Sequence, residues 1–273
     1  MQEKMQQAKV QWNLKNVTAI YDNNDKAVYS SDSDEWGNVI LKVNKNKDEL
    51  SKEYAMLKEM NGKSSCRVFA YDAEHGLLIE ERIIPGVVLR NEQNATERVN
   101  NFLIMFRDIH KTVDNAQGFE TYIDWLNKAD VFCSSNNVDM LIAKNMHMAH
   151  KIGEELFCKY DDRVLLHGDL HHDNMLLNDK GTYCMIDPKG VIGPEIFDLP
   201  RYILNEMDYA TDDKCKQHIS NIIEMISKKL NYPFQDIMKL FFMEVVLANV
   251  WCIEDGEKPN LHQILVATEL LNE

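Results

Sequence analysis

Arg163 to Asn178 reads Arg-Val-Leu-Leu-His-Gly-Asp-Leu-His-His-Asp-Asn-Met-Leu-Leu-Asn, a polar centre held between two apolar triplets. Hydrophobic flanks anchor such a loop in a core. Carboxylates and imidazoles held against buried backbone then need partners, because an isolated buried charge is costly. Asp169 can accept a proton from a substrate hydroxyl, and Asn174 offers a neutral oxygen ligand. Asp187, which closes the next apolar run, Tyr183 to Ile186, offers an anionic oxygen. Asn and Asp oxygens suit Mg²⁺, a hard cation that keeps waters and bridges substrate phosphates. Taken singly, each of the three is better read as an Asx-turn residue; their combination, in order with Lys42 and Glu53, carries the reading.

Upstream of this loop the first ninety residues alternate β-type runs with turn clusters. Asn16 to Tyr21 and Ala27 to Ser31 flank Asp22-Asn23-Asn24-Asp25 and predict a hairpin. Trp36 to Val43 reads as a third strand. Lys47 to Met60 sets Leu50, Tyr54, Leu57 and Met60 on one helical face, and Cys66 to Tyr71 and Leu77 to Arg82 read as two more strands. From Asn94 onward the pattern is helical: Ala95 to Thr112 stripes Val99, Phe102, Leu103, Phe106 and Ile109, and Phe119 to Phe132 and Met140 to Tyr160 follow. Beyond Pro194 helices resume, clearest at Ser220 to Leu230 and Phe234 to Glu254. The expected class is α+β with two lobes, a β-rich small lobe over residues 1–84 joined near Pro85-Gly86 to a mainly helical large lobe over 85–273.

Composition narrows the function classes. The chain has 273 residues, 45% hydrophobic and 27% charged, with a formal charge of −14. Such a balance fits a folded protein and opposes a nucleic-acid surface, which needs clustered Lys and Arg. A cationic small-molecule partner suits it better. The six cysteines lie far apart without a C-x-x-C pair, which reads as reduced thiols. Met1 to Gln7 has no apolar core of signal-peptide length, and no run reaches the ~20 apolar residues that cross a bilayer. The expectation is a cytoplasmic protein with no membrane partner. His171 and His172 have no further His or Cys at zinc spacing, so a zinc hydrolase is disfavoured.

His167-Gly168-Asp169-Leu170-His171-His172-Asp173-Asn174 resembles the H-x-D-x-x-x-x-N catalytic loop of the protein-kinase-like fold, with Gly where protein kinases have Arg. It is similar to the small-molecule branch of that fold, the aminoglycoside phosphotransferases, choline kinases, fructosamine kinases and homoserine kinases. Ile186-Asp187-Pro188-Lys189-Gly190-Val191-Ile192-Gly193 resembles the segment found in the streptomycin 6-kinase and hydroxyurea phosphotransferase group. Order and spacing extend the resemblance over nearly the whole chain.

The resemblance implies a role for each matching position. Asp169 becomes the catalytic base, or the group that orients the attacking hydroxyl, and Asn174 and Asp187 the Mg²⁺ ligands on the nucleotide phosphates. Lys42, in Val39-Ile40-Leu41-Lys42, matches the lysine that pairs the α and β phosphates, and Glu53 the residue that holds it, with Glu49 one helical turn away as its rival. Leu78 to Ile83 resembles the hinge, where backbone around Glu81 and Ile83 meets adenine. Asp198 matches an aspartate that braces the catalytic loop. The implied donor is ATP, with GTP an option, and the implied acceptor is a hydroxyl of a small cationic molecule, first of all a streptomycin-type aminoglycoside.

Departures from the pattern leave other readings open. Asp22 to Lys26 stands where a glycine-rich phosphate cover is expected, and Asp187-Pro188-Lys189 replaces Asp-Phe-Gly, with Lys189 available for a phosphate contact. Trp251, Glu254, Asp255 and Glu257 offer either an acidic rim for a polyamine sugar or a plain polar helix end. A metabolic kinase for choline, a sugar or an amino alcohol remains an alternative, as does a non-catalytic nucleotide-binding scaffold. A protein kinase is disfavoured by the missing activation segment and Ala-Pro-Glu signature.

Overall fold

A computed structural model describes residues 1–112 and 118–273. The chain begins with α1 (Gln2–Gln11), β1 (Lys15–Asp22), β2 (Lys26–Ser33), β3 (Gly37–Asn44), α2 (Lys47–Met60), β4 (Val68–Asp72), β5 (Leu77–Glu81) and β6 (Pro85–Val88). Next come α3 (Ala95–Ile109), β7 (Lys111–Thr112), β8 (Glu120–Thr121), α4 (Tyr122–Ser135) and α5 (Met140–Lys159). β9 (Val164–Leu166), β10 (Met175–Asn178), β11 (Tyr183–Met185) and β12 (Val191–Gly193) precede α6 (Leu199–Glu206), α7 (Cys215–Leu230), α8 (Phe234–Glu254) and α9 (Leu261–Asn272). The class is α+β. Two compact units emerge, one of residues 1–92, 107–109 and 173–190, the other of 93–106, 110–172 and 191–273.

The first unit is built on an antiparallel sheet in the order β1-β2-β3-β5-β4, with the expected hairpin at its start. β3 lies in the middle, and its register sets Lys42 opposite Val28 on one side and Leu78 on the other. Ala27, Tyr29, Val39, Leu41, Val43, Leu77 and Ile79 form a core with Ala8 of α1. That first helix has no apolar period to betray it, since Ala8 is its single buried residue. α2 starts where the Asn46 side chain accepts from the Glu49 amide and ends at Asn61 in the left-handed region, an N-cap and a C-cap of ordinary kind. Its buried face is Leu50, Glu53, Met56, Leu57 and Met60. Tyr54 sits beside that face, half-buried and stacked on Tyr71.

Three shorter strands complete this unit in the order β11-β10-β6. Pro85-Gly86, read from sequence as a junction, thus opens a paired strand. Proline is tolerated there because β6 is an edge. The β10–β11 hairpin is tied to the residues after α2 by Met185 N–H to Ser64 O and Cys66 N–H to Met185 O, at 2.9 and 3.1 Å.

The second unit is helical around α8, whose residues from Ile237 to Val250 are buried almost without interruption. A helix apolar on all sides belongs at the centre of a core, and α4, α5, α6, α7 and α9 pack on it. A small sheet in the order β7-β9-β12-β8 carries the loop after Leu166. α3 stops at Ile109, three residues short of its expected end, because Lys111 and Thr112 pair with β9. α9 lay outside the sequence reading; exposed Leu261 and Leu265 blur the stripe of Ile264, Ala267 and Leu270. No helix among the described residues is long and apolar enough to cross a membrane.

Candidate functional site

In the first unit Lys42 is a buried lysine among carboxylates. A lysine on an edge strand would be a solubility charge; Lys42 is on the central strand and only 8% exposed. Its ammonium bonds to Glu53 of α2 and lies 3.3 Å from Glu80 of β5 and 3.1 Å from Asp187. Burial alone would lower the pKa of this ammonium, but Asp187, Glu53 and Glu80 outweigh it and hold the value well above that of an ordinary lysine. Burial pushes the Glu53 carboxyl up to about 8, with Lys42 opposing and Glu80 adding to the rise. Glu80 is raised for the same first reason. Of the two candidates on α2, Glu53 takes Lys42, while Glu49 holds Lys189 at 3.5 Å and accepts from the Asn44 amide at 3.2 Å.

Asn174 and Asp187 stand at the open end of the β10–β11 hairpin. Met175 pairs with Met185, and the Ile186 amide donates to the Asn174 carbonyl at 3.0 Å, so the chain crosses from one residue to the other over a single rung. Asp187 has φ +58°, a left-handed conformation uncommon outside glycine, and such strain clusters at working sites. Lys42 holds its carboxyl well below the usual carboxylate range against the effect of burial, with Lys189 assisting at 3.2 Å. An ionised carboxylate and a buried amide oxygen are a donor set that fits Mg²⁺. Among the described residues no group of three or more His, Cys, Asp or Glu is arranged for a metal. A cation completed by water and phosphate does not need one.

These groups line a pocket of about 700 Å³ in the first unit, within the usual range for a small-molecule site. Its walls include Lys42, Glu53, Glu80, Asn174 and Asp187, and also Glu81 and Ile83. The Glu81 side chain forks onto Arg67 at 3.0 and 3.1 Å, so its carboxylate is engaged by an exposed arginine. Ile83 is buried in an apolar cluster with Leu57, Cys66 and Cys184.

Asp169 belongs to the second unit, in the loop after β9. Asp198 shapes that loop, accepting from the amides of His167 and Gly168 at 2.8 Å each and lying 2.9 Å from His110 Nε2. Gly168, at φ +76°, is required: a Cβ there would meet the Trp125 ring at 2.7 Å. Asp169 itself lies 3.3 Å from Arg201 Nε and 3.8 Å from His171 Nε2. Arg201 reaches on to Glu244 of α8 at 2.8 Å, with its guanidinium 5.2 Å from the Trp251 ring centroid. Burial works against that guanidinium's charge, but Glu244 and Asp169 raise its pKa.

The family described as aminoglycoside/hydroxyurea antibiotic resistance kinase matches residues 11–256. The chain belongs to that family. It is a small-molecule phosphotransferase, an enzyme of the aminoglycoside phosphotransferase kind with the protein-kinase-like fold. Its structure is similar to a choline kinase from Streptococcus pneumoniae, at 15% identity, 99% coverage of both chains and TM-score 0.67. It is also similar to a thermostable mutant of aminoglycoside phosphotransferase APH(4)-Ia in ternary complex with ADP and hygromycin B, at 14% identity over 98% of this chain and 96% of that one, TM-score 0.68. A choline/ethanolamine kinase family protein from Mesorhizobium loti gives 9% identity, coverage of 99% and 95%, and TM-score 0.71. At these identities the likeness is one of fold. No curated protein matches the sequence.

Within this family fold the structure adds residues that the sequence reading passed over. Glu80 is the clearest: the register pairs Ile40 with Glu80 and Lys42 with Leu78, so Glu80 and Lys42 share a face of the sheet. Only a fixed register reveals that. Arg201 and Glu244 sit on two helices, and nothing local marks them except a charge inside an apolar stripe. The C-terminal group divides: Trp251 is half-buried against Trp125, ring centroids 5.6 Å apart, while Glu254, Asp255 and Glu257 are exposed at the end of α8.

Proposed function

We propose that the enzyme moves the γ-phosphoryl of ATP, or of GTP, to a hydroxyl of a small cationic acceptor of the streptomycin type. The observation that carries this reading is the buried Lys42 ammonium amid Glu53, Glu80 and Asp187 in a pocket that also presents Asn174. In this reading Lys42 neutralises the α and β phosphates, Glu53 aims it, and backbone around Glu81 and Ile83 receives the purine. Asn174 and Asp187 would hold Mg²⁺, which supplies charge neutralisation on the phosphates when bound. Asp169 takes the proton of the acceptor hydroxyl as its oxygen bonds to the γ-phosphorus and the bond to the β–γ bridging oxygen breaks, leaving ADP. Arg201 fixes the direction of the Asp169 carboxylate. Alignment and charge stabilisation are the two sources of rate.

Nucleotide consumption scored over aminoglycosides and metabolic alcohols tests the assignment. Asp169→Ala is expected to lose roughly 10²–10⁴-fold in kcat, with nucleotide affinity little changed, and Asp187→Ala to weaken binding of the Mg²⁺-nucleotide itself. Equal turnover by Asp169→Ala and the parent protein removes the mechanism. A choline-type acceptor is the second reading, favoured by the Trp125–Trp251 pair beside Gly168 and Arg201, since aromatic faces attract ammonium groups. Turnover with choline and none with any aminoglycoside would select it.

A further inference from the structure

We propose that Lys189 is a second phosphate-holding lysine of the nucleotide pocket, mounted on Glu49 as Lys42 is mounted on Glu53. The inference rests on the donor-site reading above and deepens it. Two lysine–glutamate pairs converge on one aspartate. Lys42 lies 3.1 Å from Asp187 Oδ1 and Lys189 lies 3.2 Å from Asp187 Oδ2. Their glutamates are four residues apart on α2, hence one helical turn apart on one face. Both glutamates line the pocket. Asn44, at the end of β3, holds the other oxygen of Glu49 at 3.2 Å, so the Glu49 carboxylate is anchored, although the Lys189–Glu49 pair is longer and more exposed than Lys42–Glu53.

The hairpin turn between β1 and β2 explains why a second lysine is needed. A glycine-rich cover holds phosphates with backbone N–H groups. Here the Asn23 side-chain oxygen accepts from the amides of Asp25 and Lys26 at 2.9 and 2.8 Å, and the Asn23 amide donates to the Lys26 carbonyl at 3.0 Å. Those amides are spent inside the turn. A side-chain cation can then stand in for those amides beside the Mg²⁺ and Lys42 of the reading above. Lys189 does not itself line the pocket, but its partly exposed ammonium lies 3.2 Å from Asp187 and 3.5 Å from Glu49, which both do. The exposed Lys26, on the pocket wall at the hairpin, is its rival.

Equilibrium titration of the intact protein with a non-hydrolysable ATP analogue and with AMP, without acceptor, separates the possibilities. Lys189→Met is expected to weaken the analogue roughly tenfold, the scale of one charge-assisted contact, and to leave AMP within about twofold. Lys189→Arg should recover most of the loss. A structural role would lower both affinities together, so parallel losses overturn the proposal, as does unchanged analogue affinity or a larger loss for Lys26→Met. If Lys189→Met does not fold, Lys189→Gln is read by the same two ligands. If the parent protein binds neither ligand, the donor-site reading itself fails. If it binds both and Lys189→Met matches it, only the present inference falls.

Discussion

The two units each bury a cluster of charges, and the clusters are built with opposite arithmetic. Around Lys42, one ammonium faces the carboxylates of Glu53, Glu80 and Asp187. Around Glu206 of α6, one carboxylate faces Arg98 at 2.6 and 2.8 Å, His172 Nε2 at 2.9 Å, His218 Nε2 at 3.0 Å and the Tyr202 hydroxyl at 2.8 Å. The acids respond in opposite directions. Burial raises Glu53, whereas at Glu206 the bonds from Arg98, His172 and His218 overcome burial and hold the carboxyl well below its usual range. A carboxylate with a surplus of donors is finished and braces helices. An ammonium with a surplus of carboxylates is an unfinished cluster, and in a pocket it suits a partner that brings cations and phosphates together.

The largest effect is expected from breaking the finished cluster. Glu206→Leu strands the buried Arg98 guanidinium beside two imidazoles, and removing one partner of a buried pair costs about 3–5 kcal/mol. Denaturant unfolding followed by α6 hydrogen exchange measures it. The pH dependence has a definite sign. A depressed carboxyl contributes stability that is present above its unfolded value and lost as pH falls through the folded value. The parent protein should therefore shed this contribution only in strong acid, and Glu206→Leu should lack that acid-dependent loss. A change near zero would make Glu206 an ordinary buried pair and erase the contrast.

Breaking the unfinished cluster should appear in chemistry. Lys42→Met removes the buried cation of the first-unit pocket, and loss of such a preorganised charge costs roughly 10²–10³-fold in kcat/KM, about 3–4 kcal/mol of transition-state stabilisation. Steady-state rates on whichever acceptor supports turnover provide the check. Retention of full activity would mean that the carboxylate surplus around Lys42 is unrelated to phosphoryl transfer.

The same contrast marks what the sequence could show. Lys42, Glu53, Asn174 and Asp187 each lie in a short pattern readable locally: a strand, a helix, a polar loop and the end of a short apolar run. The sheet, α2 and the β10–β11 hairpin then bring them together. Glu53 even carries its own signal, a charge within the stripe Leu50, Leu57 and Met60. The Glu206 cluster offers no such pattern. Its members come from α3, the loop after β9, α6 and α7, so they meet only through the packing of helices whose crossing angles are not written in any one segment. Arg201 and Glu244 are hidden for the same reason, and α1 because a helix that buries one alanine has no period to read.

The smallest expected effect sharpens the comparison most. Since burial pushes Glu53 up to about 8, the folded first unit binds more protons than the unfolded chain between the ordinary carboxyl value and pH 8. Stability from this group is complete below its unfolded value and is lost as pH rises through the folded one, the reverse of Glu206. Glutamine mimics the protonated acid in shape and takes up no charge. Glu53→Gln should therefore leave the protein no less stable than the parent at pH 7, with the gap over the parent protein widening as pH climbs toward 8 and constant beyond it. Unfolding free energies at a series of pH values give the answer. A loss comparable to that of Glu206→Leu would show that Glu53 is held ionised by Lys42 as tightly as Glu206 is by Arg98, and the two clusters would then follow one rule.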